Sequence, residues 1–149
     1  MKKYLPALAL AMAIATPAAA QTPAEEGLAV VEQWAAGFTA NDAAGLAALY
    51  APDAPFWRTT ATELTNGAGA FAYFDAFTNA NGRANWSTTL VNPMVYAVGD
   101  DTVIIGVEIP LDFGDGRIAR YRHLFAVALV DGEWLIVGHH SSPLVVPAQ

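Results

Sequence analysis

The stretch that decides the fold is RYRHLFAVALVDGEWLIVGHHSS, residues 120–142. Two apolar segments flank the dipeptide Asp131-Gly132, and Asp-Gly between alternating apolar residues is a strong signal for a two-residue β-hairpin turn. Polar side chains nevertheless crowd the outer ends of both segments, where a hairpin built only for stability has no need of them. They are Arg120, Arg122, His123, His139, His140, Ser141 and Ser142. We therefore interpret the outer end of this hairpin as the polar wall of a pocket.

Two further β-rich segments precede the hairpin, and each is joined to the next by a turn rich in Gly and Asp. The four segments run over residues 85–98, 102–113, 117–130 and 133–146. Consecutive hairpins of this kind predict an antiparallel meander. Because strands this long usually bend, we expect irregularities at Pro93, Gly106, Pro110 and Gly138.

The first half of the chain predicts helices. Thr22 precedes Pro23 and two glutamates, a typical helix start, and apolar residues at helical spacing continue to about Thr39. A second helix is predicted over residues 43–50, a short strand over 54–60 and a third helix over 67–80. This order predicts an α+β fold, with three N-terminal helices packed on one face of a long, curved antiparallel sheet. The other face needs a cover, most simply a second copy of the chain.

Residues 1–20 have the pattern of a signal peptide. Two lysines form a charged start, an apolar run follows over residues 5–15, and residues 18–20 are small residues that a signal peptidase accepts. The run is too short to span a bilayer as a helix. We therefore predict a cleaved signal peptide over residues 1–20, a single domain over residues 21–149, and a periplasmic or secreted location.

Composition excludes several function classes for the mature chain. Removal of residues 1–20 removes the only two lysines and changes the formal charge from −7 to −9, so we expect binding to neither nucleic acid nor a membrane surface. Without lysine, Schiff-base chemistry is excluded, and without cysteine, disulfides, thiolate nucleophiles and Cys-zinc sites are excluded. The three histidines do not have the spacing of a zinc motif. We predict no metal site and no cofactor.

Several motifs carry a resemblance to a known family. They are APDAPFWRT (51–59), ELTNG (63–67), YF (73–74), RHLF (122–125), DGEWLIV (131–137) and HHSSPL (139–144). Together they resemble the nuclear transport factor two-like superfamily, in particular its SnoaL-like branch and the calcium/calmodulin-dependent kinase II association domain. The order of helix, helix, strand, helix and meander is similar across essentially the whole mature chain.

That resemblance implies a cone-shaped α+β fold, a homodimer formed through the sheet face, and a pocket between helices and sheet. It does not imply one reaction. The superfamily includes ketosteroid isomerases, scytalone dehydratase, polyketide cyclases, non-catalytic binding proteins and assembly hubs, so a shared fold is a weak guide to function.

Strand alternation and the resemblance together select the candidate ligand-binding residues. Adjacent side chains of a strand point to opposite faces, so neighbouring histidines cannot both face a pocket unless a bulge intervenes. The resemblance implies a pocket position for Arg122 and for His140, and Ser142 shares the face of His140. His139 and His123 are then assigned to the other face.

Each of these polar residues has a functional and a structural interpretation. Arg122 would bind a carboxylate or enolate oxygen, or form a salt bridge with Glu108 or Asp112 on the neighbouring strand. His140 would act as a general acid or base, or stabilise the sheet or the dimer through hydrogen bonds. Glu108, in an otherwise apolar strand, would be a second acid/base candidate or the partner of Arg122.

Aromatic residues are candidates for the apolar part of the pocket. They are Trp57, Tyr73, Phe74, Trp86 and Tyr96, with Trp57 and Tyr73 selected as ligand contacts. Ordinary core packing is the alternative for all five. Arg58 would guard the entrance or lie in solvent.

Three functional hypotheses remain. The first is an exported, dimeric protein that binds a small organic ligand in an apolar pocket with a polar end. The second is a cofactor-free isomerase, dehydratase or cyclase acting on a small carbonyl compound, with His140 or Glu108 as acid/base. The third is an assembly module without ligand chemistry.

Overall fold

One large sheet dominates the structure, and the helices pack on one of its faces. The computed structural model describes residues 20–78 and 85–145. The helices are α1 (Pro23–Ala40), α2 (Ala43–Ala48) and α3 (Ala70–Thr78), with a 3₁₀ turn at Gly67–Gly69 before α3. The strands are β1 (Pro55–Trp57), β2 (Thr65–Asn66), β3 (Ser87–Thr88), β4 (Val91–Ala97), β5 (Thr102–Asp112), β6 (Ile118–Val130) and β7 (Glu133–Pro143). Residues 1–19 of the predicted signal peptide, and the predicted end of the third helix at residues 79–80, lie outside the described residues.

Helix α1 begins where the sequence predicts it. The hydroxyl of Thr22 accepts a hydrogen bond from the backbone N–H of Glu25 at 3.3 Å, and the Glu25 carboxylate accepts one from the backbone N–H of Thr22 at 2.7 Å. This capping box satisfies two donors that a helix start otherwise leaves free. The helix ends at Ala40 and is capped by Asn41, whose φ of 63° is the left-handed conformation common at helix ends. None of the described helices is both long and apolar enough to cross a membrane.

The core lies between α1 and the long strands. Val31 and Trp34 of α1 are buried, as are Val103 and Ile105 of β5 beneath them. Burial of one large apolar side chain contributes about 1.5–3 kcal/mol, so this layer is a main source of stability. Helix and strand approach so closely at Gly27 that an added Cβ would lie 2.7 Å from Cβ of Val103.

The sheet is mixed, which corrects the predicted antiparallel sheet. Within the described residues the strand order is β2-β1-β7-β6-β5-β3, and β4 also pairs with β5. Every pairing between these named strands is antiparallel except that of β1 with β7, which is parallel. In the described residues, helix α3 and five strands separate β1 from β7 in sequence, so no tight turn forces them to be antiparallel.

The β6–β7 hairpin has the predicted turn and an irregular register. Val127 pairs with Ile136 and Ala126 pairs with Gly138, so Val137 is an extra residue in β7. This is a β-bulge at one of the predicted sites, Gly138. A bulge reverses which side chains face which side of the sheet beyond it, and the polar end of β7 lies beyond it.

Candidate ligand-binding site

A cavity of about 120 Å³ lies between the helices and the sheet. Aromatic side chains form much of its wall: Trp34 and Phe38 of α1, Phe56 of β1, and Tyr73, Phe74 and Phe77 of α3. Its polar lining consists of Thr59, Thr60, Thr88, Tyr121, His123, His139 and Ser141. Among the described residues that line it, none is Asp, Glu, Lys or Arg. The cavity is therefore an aromatic space with an uncharged polar end.

A chain of hydrogen bonds joins four buried side chains at that polar end. Nε1 of Trp34 donates to the hydroxyl oxygen of Tyr50 at 2.9 Å. This oxygen lies 2.7 Å from Nδ1 of His139, and Nε2 of His139 lies 3.0 Å from Nδ1 of His123. We call this Trp34–Tyr50–His139–His123 series the buried relay.

Both histidines of the buried relay are held neutral. Burial lowers the pKa of His123 to about 3, with a smaller contribution from His140. Burial also lowers the pKa of His139 well below its usual range, and His123 adds to the effect. Removal from water disfavours the charged imidazolium, and the His139 ring is buried against that of Phe125 with centroids 4.0 Å apart.

A pair of hydroxyls and a tyrosine complete the polar lining. The hydroxyls of Thr59 and Ser141 lie 2.7 Å apart. Burial raises the pKa of Tyr73 to about 12, although the nearby Arg58 opposes this shift. The Arg58 guanidinium lies 5.2 Å from the centroid of the Tyr73 ring. Arg58 and Tyr73 also line a separate surface pocket.

The structure corrects the assignment of His140, Ser142 and Arg122 to the cavity. His140 and Arg122 are exposed on the opposite side of the sheet, which we call the open face, and they line a shallow surface pocket there with Ser142. His139 and His123, which alternation assigned to the other face, are the residues that line the cavity. In β7 the bulge at Val137 explains this exchange. The extra residue reverses the alternation of side chains between the turn and His140.

Glu108 also lies away from the cavity, on the open face. Its carboxylate forms a two-point salt bridge with Arg120, in which the Nη2 to Oε2 distance is 2.7 Å. The hydrogen bonds from Arg120 lower the pKa of Glu108. The predicted salt bridge therefore exists with a different arginine, because Arg122 donates to Ser142 at 2.9 Å. Neither predicted catalytic residue, His140 or Glu108, lines the cavity.

The two predicted aromatic contacts have different outcomes. Tyr73 lines the cavity, as predicted. Trp57 is 49% exposed and packs edge-on against His140 at a centroid distance of 6.0 Å, on the open face. In strand β1 the side chain of Phe56 is buried, whereas its neighbours Pro55 and Trp57 are exposed.

Tyr50 and Trp34 are site residues that the sequence analysis missed. Tyr50 lies just after α2, and nothing in its local sequence relates it to a histidine 89 positions later in the chain. Gly138 was the one available signal, because a bulge there exchanges the faces of His139 and His140. The histidines and carboxylates of the described residues do not form a group that could hold a metal ion.

Comparison with known proteins decides the family. A model of the SnoaL-like domain matches residues 28–147. The chain belongs to the SnoaL-like family. This places it in the nuclear transport factor two-like superfamily, and confirms the resemblance drawn from its motifs. No curated protein matches the chain.

Solved structures show the same fold. A Xanthomonas campestris protein, provisionally described as a calcium/calmodulin-dependent protein kinase II association domain, is 25% identical with a TM-score of 0.67, covering 84% of this chain and 93% of its own. The corresponding kinase hub of S. rosetta is 23% identical with a TM-score of 0.70, covering 87% and 100%. A Nostoc punctiforme domain of unknown function with a cystatin-like fold is 17% identical with a TM-score of 0.73, covering 85% and 81%.

Proposed function

We propose that the mature chain is an exported homodimer that binds a small organic molecule in the cavity between helices and sheet. One observation carries the proposal: an aromatic cavity ends in a buried, hydrogen-bonded relay of neutral groups. Small-molecule sites commonly have this composition, with apolar walls and a few fixed polar groups that orient the ligand. A SnoaL-like fold is compatible with such a role.

The buried relay favours binding over catalysis. A general base works best when its pKa is near the operating pH, and the pKa of His123 is about 3. His140 and Glu108, the residues that the enzyme hypothesis required, both lie on the open face. The isomerase or dehydratase hypothesis therefore retains the cavity but loses its acid and base.

The open face supports the homodimer. Its exposed apolar side chains are Met94 (77% exposed), Tyr96 (70%), Leu124 (53%) and Trp57 (49%). Met94 pairs with Gly106, and Leu124 pairs with both Gly106 and His140, so these side chains share one surface. Apolar patches of this kind mark interaction sites, and a second copy covers such a patch on both subunits at once. We propose the cone shape and the dimer together, with assembly without a ligand as the competing function.

Native mass spectrometry of protein purified from its own host tests binding and oligomeric state together. We expect a dimer whose subunits begin at Gln21 and retain a small molecule. Leu111→Phe fills the cavity, because Leu111 is buried in its wall, and this variant should lose the retained molecule. Leu129→Phe is the matched control, since Leu129 is 44% exposed and does not line the cavity. A wild-type protein without a retained molecule, and with a filled cavity in a crystal structure, would favour the assembly module.

A further inference from the structure

The buried relay has a direction, which its first member sets. The indole nitrogen of Trp34 can only donate, so the oxygen of Tyr50 accepts that hydrogen bond. Among the described residues, the remaining partner of the Tyr50 hydroxyl is Nδ1 of His139. A buried hydroxyl proton without an acceptor is costly, so the Tyr50 proton points at Nδ1 of His139.

The same logic fixes the protons on both histidines. Because Nδ1 of His139 accepts from Tyr50, a neutral His139 carries its one ring proton on Nε2. That proton is donated to Nδ1 of His123, at 3.0 Å. A neutral His123 then carries its own proton on Nε2, for which no acceptor exists among the described residues. His123 lines the cavity, so the relay ends in an uncommitted donor.

The charge and size of the cavity limit which ligands can accept a hydrogen bond from this donor. The cavity lining of the described residues holds no formal charge, so an anion would have no cationic partner within that lining. The Arg58 guanidinium lies over the ring of Tyr73 and lines the adjacent surface pocket rather than the cavity. The cavity volume of about 120 Å³ is close to the roughly 150 Å³ of an engineered apolar cavity that binds benzene.

We propose that the cavity selects an uncharged, ring-sized molecule with a hydrogen-bond acceptor, and that Nε2–H of His123 is the donor which recognises that acceptor. This inference rests on the proposed function, since it names the ligand class of the same cavity. Tyr50 and His139 are positioning residues, because they act by fixing the proton of His123. A ligand without an acceptor leaves this donor desolvated and unpaired, which is how a polar site rejects an apolar analogue.

Nitrogen NMR of protein with ¹⁵N-labelled histidine tests the direction of the relay without any ligand. We expect His123 and His139 both to carry the proton on Nε2 at pH 7. Tyr50→Phe removes the donor to Nδ1 of His139, and should let the proton of His139 move between its two nitrogens. A proton on Nδ1 of His123 in the wild-type protein would overturn the proposal.

Binding of matched probes tests the recognition itself. Benzene and pyridine have the same shape, but only pyridine carries an acceptor, and at pH 7.5 it is mainly uncharged. We expect pyridine to bind roughly tenfold more tightly than benzene, the scale of one buried hydrogen bond. The preference should disappear in His123→Phe and persist in His140→Phe, the matched control on the open face.

The outcomes separate the two proposals. Equal binding of benzene and pyridine would overturn recognition by His123, while leaving a ligand-binding cavity in place. Tighter binding of benzoate than of pyridine would also overturn it, and would assign recognition to Arg58. Failure of all three probes to bind a folded wild-type protein would overturn this ligand class, whereas the proposed function fails if the native protein also retains no molecule. If His123→Phe does not fold, the wild-type probe comparison and the histidine spectra still decide the matter.

Discussion

His123 and His139 are neutral because they are buried among rings, and this has a consequence for stability. Below pH 6.5 the unfolded chain binds protons at both positions, whereas the native chain does not until the pH is far lower. Stability rises with pH wherever the unfolded state binds more protons. The native state is therefore favoured at neutral pH, and loses that advantage as the pH falls.

We predict that the free energy of unfolding falls between pH 6.5 and pH 5, by up to about 1.4 kcal/mol per pH unit for each buried histidine. Urea unfolding across this range measures the slope, and carboxylates with lowered pKa values, such as that of Glu108, add to it only at lower pH. His123→Phe should remove one histidine's share of the slope. His139→Phe should remove the share of the other buried histidine. A wild-type slope near zero would contradict the burial argument.

At the scale of elements, the contact between α1 and β5 places Trp34 over the sheet. Gly27 makes this approach possible, because an added Cβ would lie between 2.7 and 3.0 Å from three side-chain atoms of Val103. Gly37 lies in the same helix, and an added Cβ there would meet Leu46 at 3.4 Å, an ordinary contact distance. Alanine substitutions at the two glycines therefore separate the cost of overpacking from the gain in helix propensity.

We predict that Gly27→Ala destabilises the protein by about 1–3 kcal/mol, the usual cost of overpacking, despite the higher helix propensity of alanine. Gly37→Ala should be neutral or stabilising by up to about 1 kcal/mol. Chemical denaturation of both variants provides the comparison. Equal stability of the two variants would show that Val103 moves aside at little cost.

At the scale of the whole molecule, the sheet separates two surfaces with different composition. The helix side contains the cavity and the buried relay, while the open face carries exposed apolar residues together with Arg122, His140 and the Glu108–Arg120 salt bridge. The proposed dimer depends on the second surface alone.

We predict that Leu124→Glu makes the protein monomeric, because it places a carboxylate at the centre of the apolar open face. Light scattering after size-exclusion chromatography measures the mass. Gln33→Glu, at an exposed position of α1 on the helix side of the sheet, is a charge-matched control that should remain dimeric. Retention of the dimer in Leu124→Glu would place the interface elsewhere.

The fold was largely predictable because its signals are local. The Asp-Gly turn has φ values of 50° at Asp131 and 89° at Gly132, as a tight hairpin requires, and the capping box at Thr22 starts α1. The site was less predictable, because it depends on one extra residue, Val137. The sequence of a strand indicates that its side chains alternate between two faces, but not where a bulge reverses that alternation. The position of the bulge depends on how the partner strand pairs.

By itself, the sequence determined the helices, the long strands, their order and the family, since turn residues, helix caps and apolar periodicity act over a few neighbouring positions. It did not predict the short strand β2 or the division of segment 85–98 into β3 and β4. Tertiary structure alone decided the parallel pairing of β1 with β7 and the faces of His139 and His140. It also decided the meeting of Tyr50 with His139, which are 89 residues apart. These are contacts between distant segments, and their geometry is fixed by packing across the whole sheet rather than by any one stretch of the chain.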